Sequence, residues 1–255
     1  RGLGDVYKRQ VLIGVAVNQI NTMIDRTLAS TLVEGSISAL NYANKLNGFV
    51  MAMFITSVAA VIYPMLSKLS SEDNKEKFTS SVVQSINSVI LLVIPISVGA
   101  IVLATPIVKL LFQRGEFDAR ATSMTAIALI MYSIGMVAFG LRDILGKVFY
   151  ALQDTKTPMI NGAIAMVMNI VLNIILVKYL QLAGLALATS ISAIVCIFLL
   201  FGSLKKKIGY FGQDKIMKTT IKSIVSAAIM GVVTYFAYDI VSNLLGCLLY
   251  TSDAA

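Results

Sequence analysis

Residues 18–30 read NQINTMIDRTLAS, in a stretch of chain that is otherwise apolar enough to cross a membrane. Asp25 and Arg26 stand side by side there, although a charge at the centre of a bilayer costs at least about 2.5–3.5 kcal/mol on insertion scales. Such residues normally face a protein interior or an aqueous cavity. On a helical wheel, Asn18, Gln19, Asn21, Thr22, Asp25, Arg26 and Ser30 fall within about half the circumference. Val17, Ile20, Met23, Ile24 and Leu28 occupy the other half. This helix has one side suited to lipid or an apolar core and one that needs water or polar partners.

The remainder of the chain extends that reading. Of 255 residues, 57% are hydrophobic and 13% charged, against about 25% charged in a soluble domain. Crossing about 30 Å of hydrocarbon takes about 20 largely apolar residues, and about seven segments qualify: 11–33, 37–66, 82–112, 123–150, 158–178, 183–203 and 217–240. The expected fold class is therefore all-α, a polytopic membrane helix bundle. The chain contains no His and two Cys; Cys247 falls in the C-terminal tail expected to be foreign to the fold, which leaves Cys196 alone in an apolar helix. A disulfide framework, a Cys/His zinc site and a His proton relay are excluded on those grounds, and no metal or cofactor is expected.

The two ends read differently from the middle. RGLGDVYKRQ, residues 1–10, and CLLYTSDAA, residues 247–255, can be written in codons whose DVYKRQ and CLLYTS portions are reverse complements of one another. They match the inverted transposon ends of a sequencing-library adaptor. The expectation is that 1–10 and 247–255 are translated adaptor, not native, and that fold and function reside in 11–246.

Loop charges set an expected orientation. Lys68, Lys75, Lys77, Lys156, Lys205, Lys206, Lys207 and Lys215 fall on one side by parity, whereas Glu34, Arg114, Arg120 and Lys178 fall on the other. The positive-inside rule places the lysine-rich side in the cytoplasm. In DTKTP, residues 154–158, Thr157 reads as a helix N-cap followed by Pro158 at the first helical position. Pro64 and Pro95 are expected to kink or end their helices.

Candidate functional residues concentrate on two spans. In the second, Ser38, Asn41, Tyr42 and Lys45 form a stripe continued by Gly48 and Ala52. Counted from the turn at 34–36, Arg26 and Lys45 lie at similar depth, on the order of 12–15 Å along neighbouring helices. An Arg fork and a Lys point charge together suit phosphate oxygens. The structural alternative is that Asp25 and Arg26 neutralise partners on other helices and that Lys45 snorkels to headgroups. The fourth span carries Arg142, Asp143 and Lys147, read as an ion-pair network or gate, and Asn161, Asn169 and Asn173 form one face of the fifth, suited to interhelical hydrogen bonds. No nucleophile and base arrangement or paired cavity carboxylates point to an enzyme.

With these residues in place, the chain resembles the MurJ/MviN family of lipid II flippases, within the larger superfamily of oligosaccharide and multidrug exporters. The resemblance is carried, in order, by NQINTMIDRTLAS, GSISALNYANKL, YPMLSKLS, LLFQRGEFD and VFYALQDTKTP. It implies a two-lobed, MATE-like transporter in which 11–203 form the second six-helix lobe and 204–246 a cytoplasmic loop and an extra transmembrane helix, the span equivalent to helices seven to thirteen. It also implies a multi-pass protein of the bacterial cytoplasmic membrane that takes part in peptidoglycan biosynthesis. Its cargo would be an undecaprenyl-diphosphate-linked precursor, and its partners would be membrane lipids and the first lobe of the same chain, with no nucleic acid. Lys45, in YANKL, matches a position where family members carry a cavity-facing cation, which makes Lys45 and Arg26 the expected diphosphate contacts. Asp25, Asn18, Thr22, Asn41 and Asn44 would support them along the cavity wall. The transport cycle would couple to membrane potential or a cation, with no cofactor. A polysaccharide-unit or multidrug exporter of the same superfamily, and a non-transporting membrane scaffold, are the alternatives.

Overall fold

The computed structural model describes residue 19 and residues 22–24, 26–72 and 74–252, with side chains as far as 243. Among these residues every regular element is a helix. After a helical run at 26–30, the chain turns through Gly35, whose φ of 91° is readily adopted by glycine. It enters α1 (Ser36–Val50), passes through a π-helical turn (Met51–Ile55) and continues as α2 (Thr56–Ser71). Then follow α3 (Lys75–Val102), α4 (Ala104–Phe112), α5 (Ala119–Ala151), α6 (Lys156–Ile208) and α7 (Gln213–Ser252).

Helix starts follow from short polar side chains that satisfy first-turn amides. Asn74 accepts from the Lys77 amide at 3.2 Å, Asp118 from Ala121 at 2.7 Å, and Asp154 from Thr157 at 3.0 Å. The last contact corrects the expected cap. Thr157 lies inside α6, and Asp154, three residues earlier, does the capping, because its carboxylate reaches both the Thr157 amide and the Thr157 hydroxyl, at 2.8 Å. Pro158 still falls in the first turn, where an amide has no intrahelical partner to lose.

Neither Pro64 nor Pro95 ends its helix. The break comes at Leu103, between α3 and α4 and inside the segment expected to be one span, 82–112. Pro106 explains it. The proline has no amide for the Val102 carbonyl four residues back, and its ring crowds that carbonyl.

Among the described residues five stretches are long and apolar enough to cross a membrane: Ser36–Ser71, Lys75–Val102, Ala119–Ala151, Lys156–Ile208 and Gln213–Asn243. The fourth doubles back at Gln181, where φ is 49° and ψ −125°. Hydrogen bonds between its two arms, from Asn169 to Thr189 at 3.4 Å and from Asn161 to Ser203 at 3.1 Å, mark an antiparallel hairpin. Its tip is tight, since a Cβ at Gly184 would strike the Leu176 carbonyl. The expected count of about seven spans agrees with this arrangement, the first lying mostly outside the described residues.

The central post is α5, which packs against α1, α3, α4 and α6. One apolar cluster, with Phe78, Ile86, Ile144, Phe149 and Leu204, fills the end of the bundle nearer the lysine-rich loops. A second, with Ala39, Ala43, Val108, Leu129 and Leu185, fills the opposite end. In lipid there is no water-driven force between helices, so close packing and interhelical hydrogen bonds must hold them. A Cβ on Gly135 would lie 2.6 Å from the Ser190 backbone. Beside that contact the Ser190 hydroxyl donates to the Met131 carbonyl at 2.6 Å, and the Ser97 hydroxyl donates to Ser133 at 2.5 Å.

At the lysine-rich end, Lys207 closes onto Asp154 at 2.6 Å, tying the exit of α6 to its entry. Burial alone would raise the Asp154 pKa. Hydrogen bonds from Lys207 and from the Thr157 amide and hydroxyl, with the Lys207 charge, outweigh it and hold the group at about 2 against an ordinary 3.8. The carboxylate's contribution is therefore complete above an ordinary carboxylate pKa and disappears as pH falls through the folded value. Asp154→Ala is expected to lower stability at neutral pH by about 1 kcal/mol. Melting of the detergent-purified protein should show the gap from wild type closing as pH falls from 3.8 to about 2.

Candidate functional site

A cavity of about 910 Å³ opens between α1 with its π-turn, α5 and the two arms of α6. Asn44, Asn47, Gly48 and Met51 supply one wall, Tyr132, Phe139, Arg142 and Asp143 a second, and 158–160 and 162–166 with Asn169, Thr189 and Ser192 a third. The spacing of Asn44, Gly48 and Met51 by four and three residues places them on one helical face. In the π-turn the Thr56 amide reaches back five residues to the Met51 carbonyl, so each residue turns less than in an α-helix, and Ile55 and Thr56 still border the cavity. Single π-turns occur mostly at functional positions in helices.

The structure brings residues singled out from the sequence together at this cavity, Gly48 and Asn169 among them. Thr22, Asn44, Arg142 and Asp143 line the cavity. Arg26, Asn41 and Lys45 are exposed and are not among its lining residues. Lys45 lies 5.3 Å over the Tyr42 ring, and Tyr42 packs on Phe112 and Phe117 at centroid distances of 4.8 and 5.3 Å. Asn18 and Asp25 lie outside the described residues.

The two ion pairs among the described residues, Lys68 with Glu72 and Lys207 with Asp154, are both away from Arg142, Asp143 and Lys147. The Arg142 guanidinium lies 5.9 Å over Phe139, and the Lys147 ammonium 5.9 Å over Tyr63. Helix geometry accounts for the separation, since neighbouring residues diverge by about 100° and Arg142 and Lys147 by about 140°. Arg142 and Asp143 share the cavity while Lys147 reaches toward α2.

The asparagine face on the first arm of α6 behaves as its spacing indicated. Asn161, Asn169 and Asn173 are buried, and Asn173 donates to Asn169 at 3.1 Å, joining the contacts to Ser203 and Thr189. Asn47 was not singled out from the sequence, yet it lines the cavity and is only 5% exposed. Its signal was present, because it stands three residues beyond Asn44 on the same helix.

Antiparallel membrane helices packed around a cavity give this chain the fold of one lobe of the MATE-like transporters. The fold agrees with the outward-facing structure of a multidrug resistance MATE family transporter of the MOP superfamily, at TM-score 0.66 and 17% identity over 89% of this chain and 52% of that one. The structure of lipid II flippase MurJ in an inward closed conformation superposes at TM-score 0.76 with 29% identity, covering 94% of this chain and 51% of that one. The family model for lipid II flippase MurJ matches residues 4–252. Among curated relatives, the probable lipid II flippase MurJ of Vibrio cholerae is 41% identical over 193 residues, 76% of this chain and 37% of that protein. That of Haemophilus influenzae is 33% identical over 231 residues, 88% of this chain and 45% of that protein. The chain belongs to the lipid II flippase MurJ family, and it spans less than half the length of these two relatives.

The cavity walls contain two glycines with open space beside them. A Cβ on Gly48 or Gly162 meets nothing within 4 Å, unlike one on Gly135. Gly48→Leu and Gly162→Leu are expected to leave stability within about 0.5 kcal/mol of wild type, whereas Gly135→Leu is expected to abolish accumulation in the membrane. Thermal melting and membrane abundance of the three variants check this.

Proposed function

We propose that the protein containing this chain moves an undecaprenyl-diphosphate-linked peptidoglycan precursor, lipid II, from the inner to the outer leaflet of the bacterial cytoplasmic membrane. The observation that carries the reading is the 910 Å³ cavity, in which asparagine, threonine and serine side chains with Arg142 and Asp143 are set into mostly apolar walls, in a chain of the MurJ family. In this reading 11–203 form a second six-helix lobe, and 204–246 a cytoplasmic loop and an extra helix. The first lobe would come from the same polypeptide. Rocking of the two lobes would expose the cavity to either leaflet in turn, with membrane potential or a cation as the driving force. No bond is made or broken, so the process requires no catalytic residue.

Arg26 and Lys45 hold the diphosphate in this proposal, the first as a fork and the second as a point charge. Lys45 follows Asn44 of the cavity wall on the same helix and is exposed, which supports a role in meeting the cargo's charge. Asp25 limits the positive charge and orients Arg26, while Asn18, Thr22, Asn41 and Asn44 offer neutral hydrogen bonds along the path. Arg142, Asp143 and Lys147 form the gate near the lysine-rich end. The polyprenyl tail stays in lipid throughout.

In a complete gene carrying this lobe, Arg26→Ala and Lys45→Ala are each expected to reduce flipping by about 10-fold or more, the scale of a lost charge-assisted hydrogen bond. Lys45→Arg should retain activity, because it keeps the charge and adds a fork. Growth of a flippase-depleted host at native expression is the measurement. Normal growth with both alanine variants would show that neither cation holds cargo. Sidedness is tested separately by thiol labelling. A cysteine at Glu116 is expected to react with an impermeant maleimide in intact spheroplasts, and one at Lys206 only after lysis; the reverse pattern would invert the orientation.

A further inference from the structure

We propose that Asn47 reads the neutral sugar portion of the cargo, hydrogen-bonding through its side-chain amide to a hydroxyl or acetamido group. The inference rests on the transport reading above, which supplies a cargo with a sugar next to its diphosphate.

Asn47 is buried to 5% exposure, it lines the cavity, and its amide oxygen has no hydrogen-bond partner. Buried amides in folded proteins are nearly always paired, and leaving one unpaired is destabilising. Two buried asparagines on the first arm of α6 follow that rule. Asn161 and Asn169 are 7% and 2% exposed, and their amide nitrogens donate to Ser203 and Thr189. Asn87 also has an unpaired amide oxygen, but it is not among the residues lining the cavity. Asn47 alone of these is a lining residue with an unpaired amide oxygen; that oxygen is covered, so a rotation of the carboxamide would bring it to a cargo in the cavity.

The chemistry of the partner follows from what an amide offers. A carboxamide presents one acceptor and two donors and no charge, which suits sugar hydroxyls and acetamido groups better than a diphosphate. A site that leaves a buried group unpaired rejects a ligand lacking the matching group more strongly than an apolar pocket rejects a misfit. Gly48, next to Asn47, leaves open space at its own Cβ position, so the wall beside the amide is recessed.

The test uses the purified complete protein in vesicles, with a labelled polyprenyl-diphosphate disaccharide bearing N-acetylated sugars and, separately, labelled polyprenyl diphosphate without sugar. Wild type is expected to flip the sugar-bearing lipid at least tenfold faster than the bare one. Asn47→Leu, close in volume, is expected to lose that preference by slowing the sugar-bearing lipid alone, with no fall in melting temperature. Asn47→Ala serves the same comparison should the leucine prevent folding. An undiminished preference in either folded variant overturns the inference. Parallel slowing of both lipids with a lower melting temperature also overturns it, by assigning Asn47 a packing role. A wild-type protein that flips neither lipid overturns the transport reading itself, and the two failures are thereby distinct.

Discussion

Ser190 lies against Gly135 with no room for a side chain between them, and the organisation of the lobe follows from that contact. Because lipid is as apolar as the helix surfaces, helices in a bilayer gain little from hiding leucines and much from approaching closely. Glycine at 135 permits the approach. Serine at 190 then reaches the Met131 carbonyl, while Ser97 on α3 reaches the Ser133 carbonyl from another helix. Two helices are thus bonded to neighbouring turns of α5 by carbonyls that already serve the helix itself, since a carbonyl has a second lone pair to offer. With α5 fixed between α3 and α6, the asparagines of the first α6 arm are committed to its second arm. The cavity occupies the space bounded by α1, α5 and that hairpin.

The distribution of polar groups divides into two chemistries. Both ion pairs among the described residues lie near the lysine-rich loops, where water reduces their value. Within the bundle the pairing is by neutral amides and hydroxyls, which avoid the desolvation cost of a buried charge. Arg26 and Lys45 fit neither group, being exposed on the surface of this lobe. For Lys45 the Tyr42 ring supplies partial compensation at 5.3 Å. An exposed cation over a ring keeps its charge available, whereas a salt-bridged one does not. That availability is what the proposed diphosphate contact requires.

Much of this arrangement was legible in the sequence. Apolar length marked the spans, the asparagines at 161, 169 and 173 marked a buried face, and the amphipathic stretch at 18–30 placed Thr22 on a polar wall. Other features were illegible for identifiable reasons. A Thr-Pro pair is a common helix start, but the competing Asp154 had the longer reach into the first turn and a lysine partner from 53 residues away. The prolines at 64 and 95 attracted attention, yet the helix broke ahead of Pro106. The π-turn leaves no mark in residue type, because MAMFI is compatible with ordinary helix. Asn47 looked like one of several polar residues on α1, and its unpaired amide oxygen on a cavity-lining residue sets it apart.

Irregular backbone is expensive in hydrocarbon, where an unpaired amide or carbonyl has no water to turn to. At the α3–α4 break the Leu103 amide still reaches the Gly99 carbonyl, and the Ile107 amide the Leu103 carbonyl, each at 2.9 Å. The π-turn keeps its bonding by lengthening the step to five residues. The two devices have different consequences. The break at Leu103 is set by Pro106 and redirects the chain, and it is not part of the cavity wall. The π-turn has no proline to cause it, and it borders the cavity just beyond Asn47. A lobe selected for stability alone would have little reason to retain both a widened turn and an unpaired amide within one stretch of α1. Their proximity is what the proposed contact between Asn47 and a cargo requires, local stability being given up where a ligand would restore it.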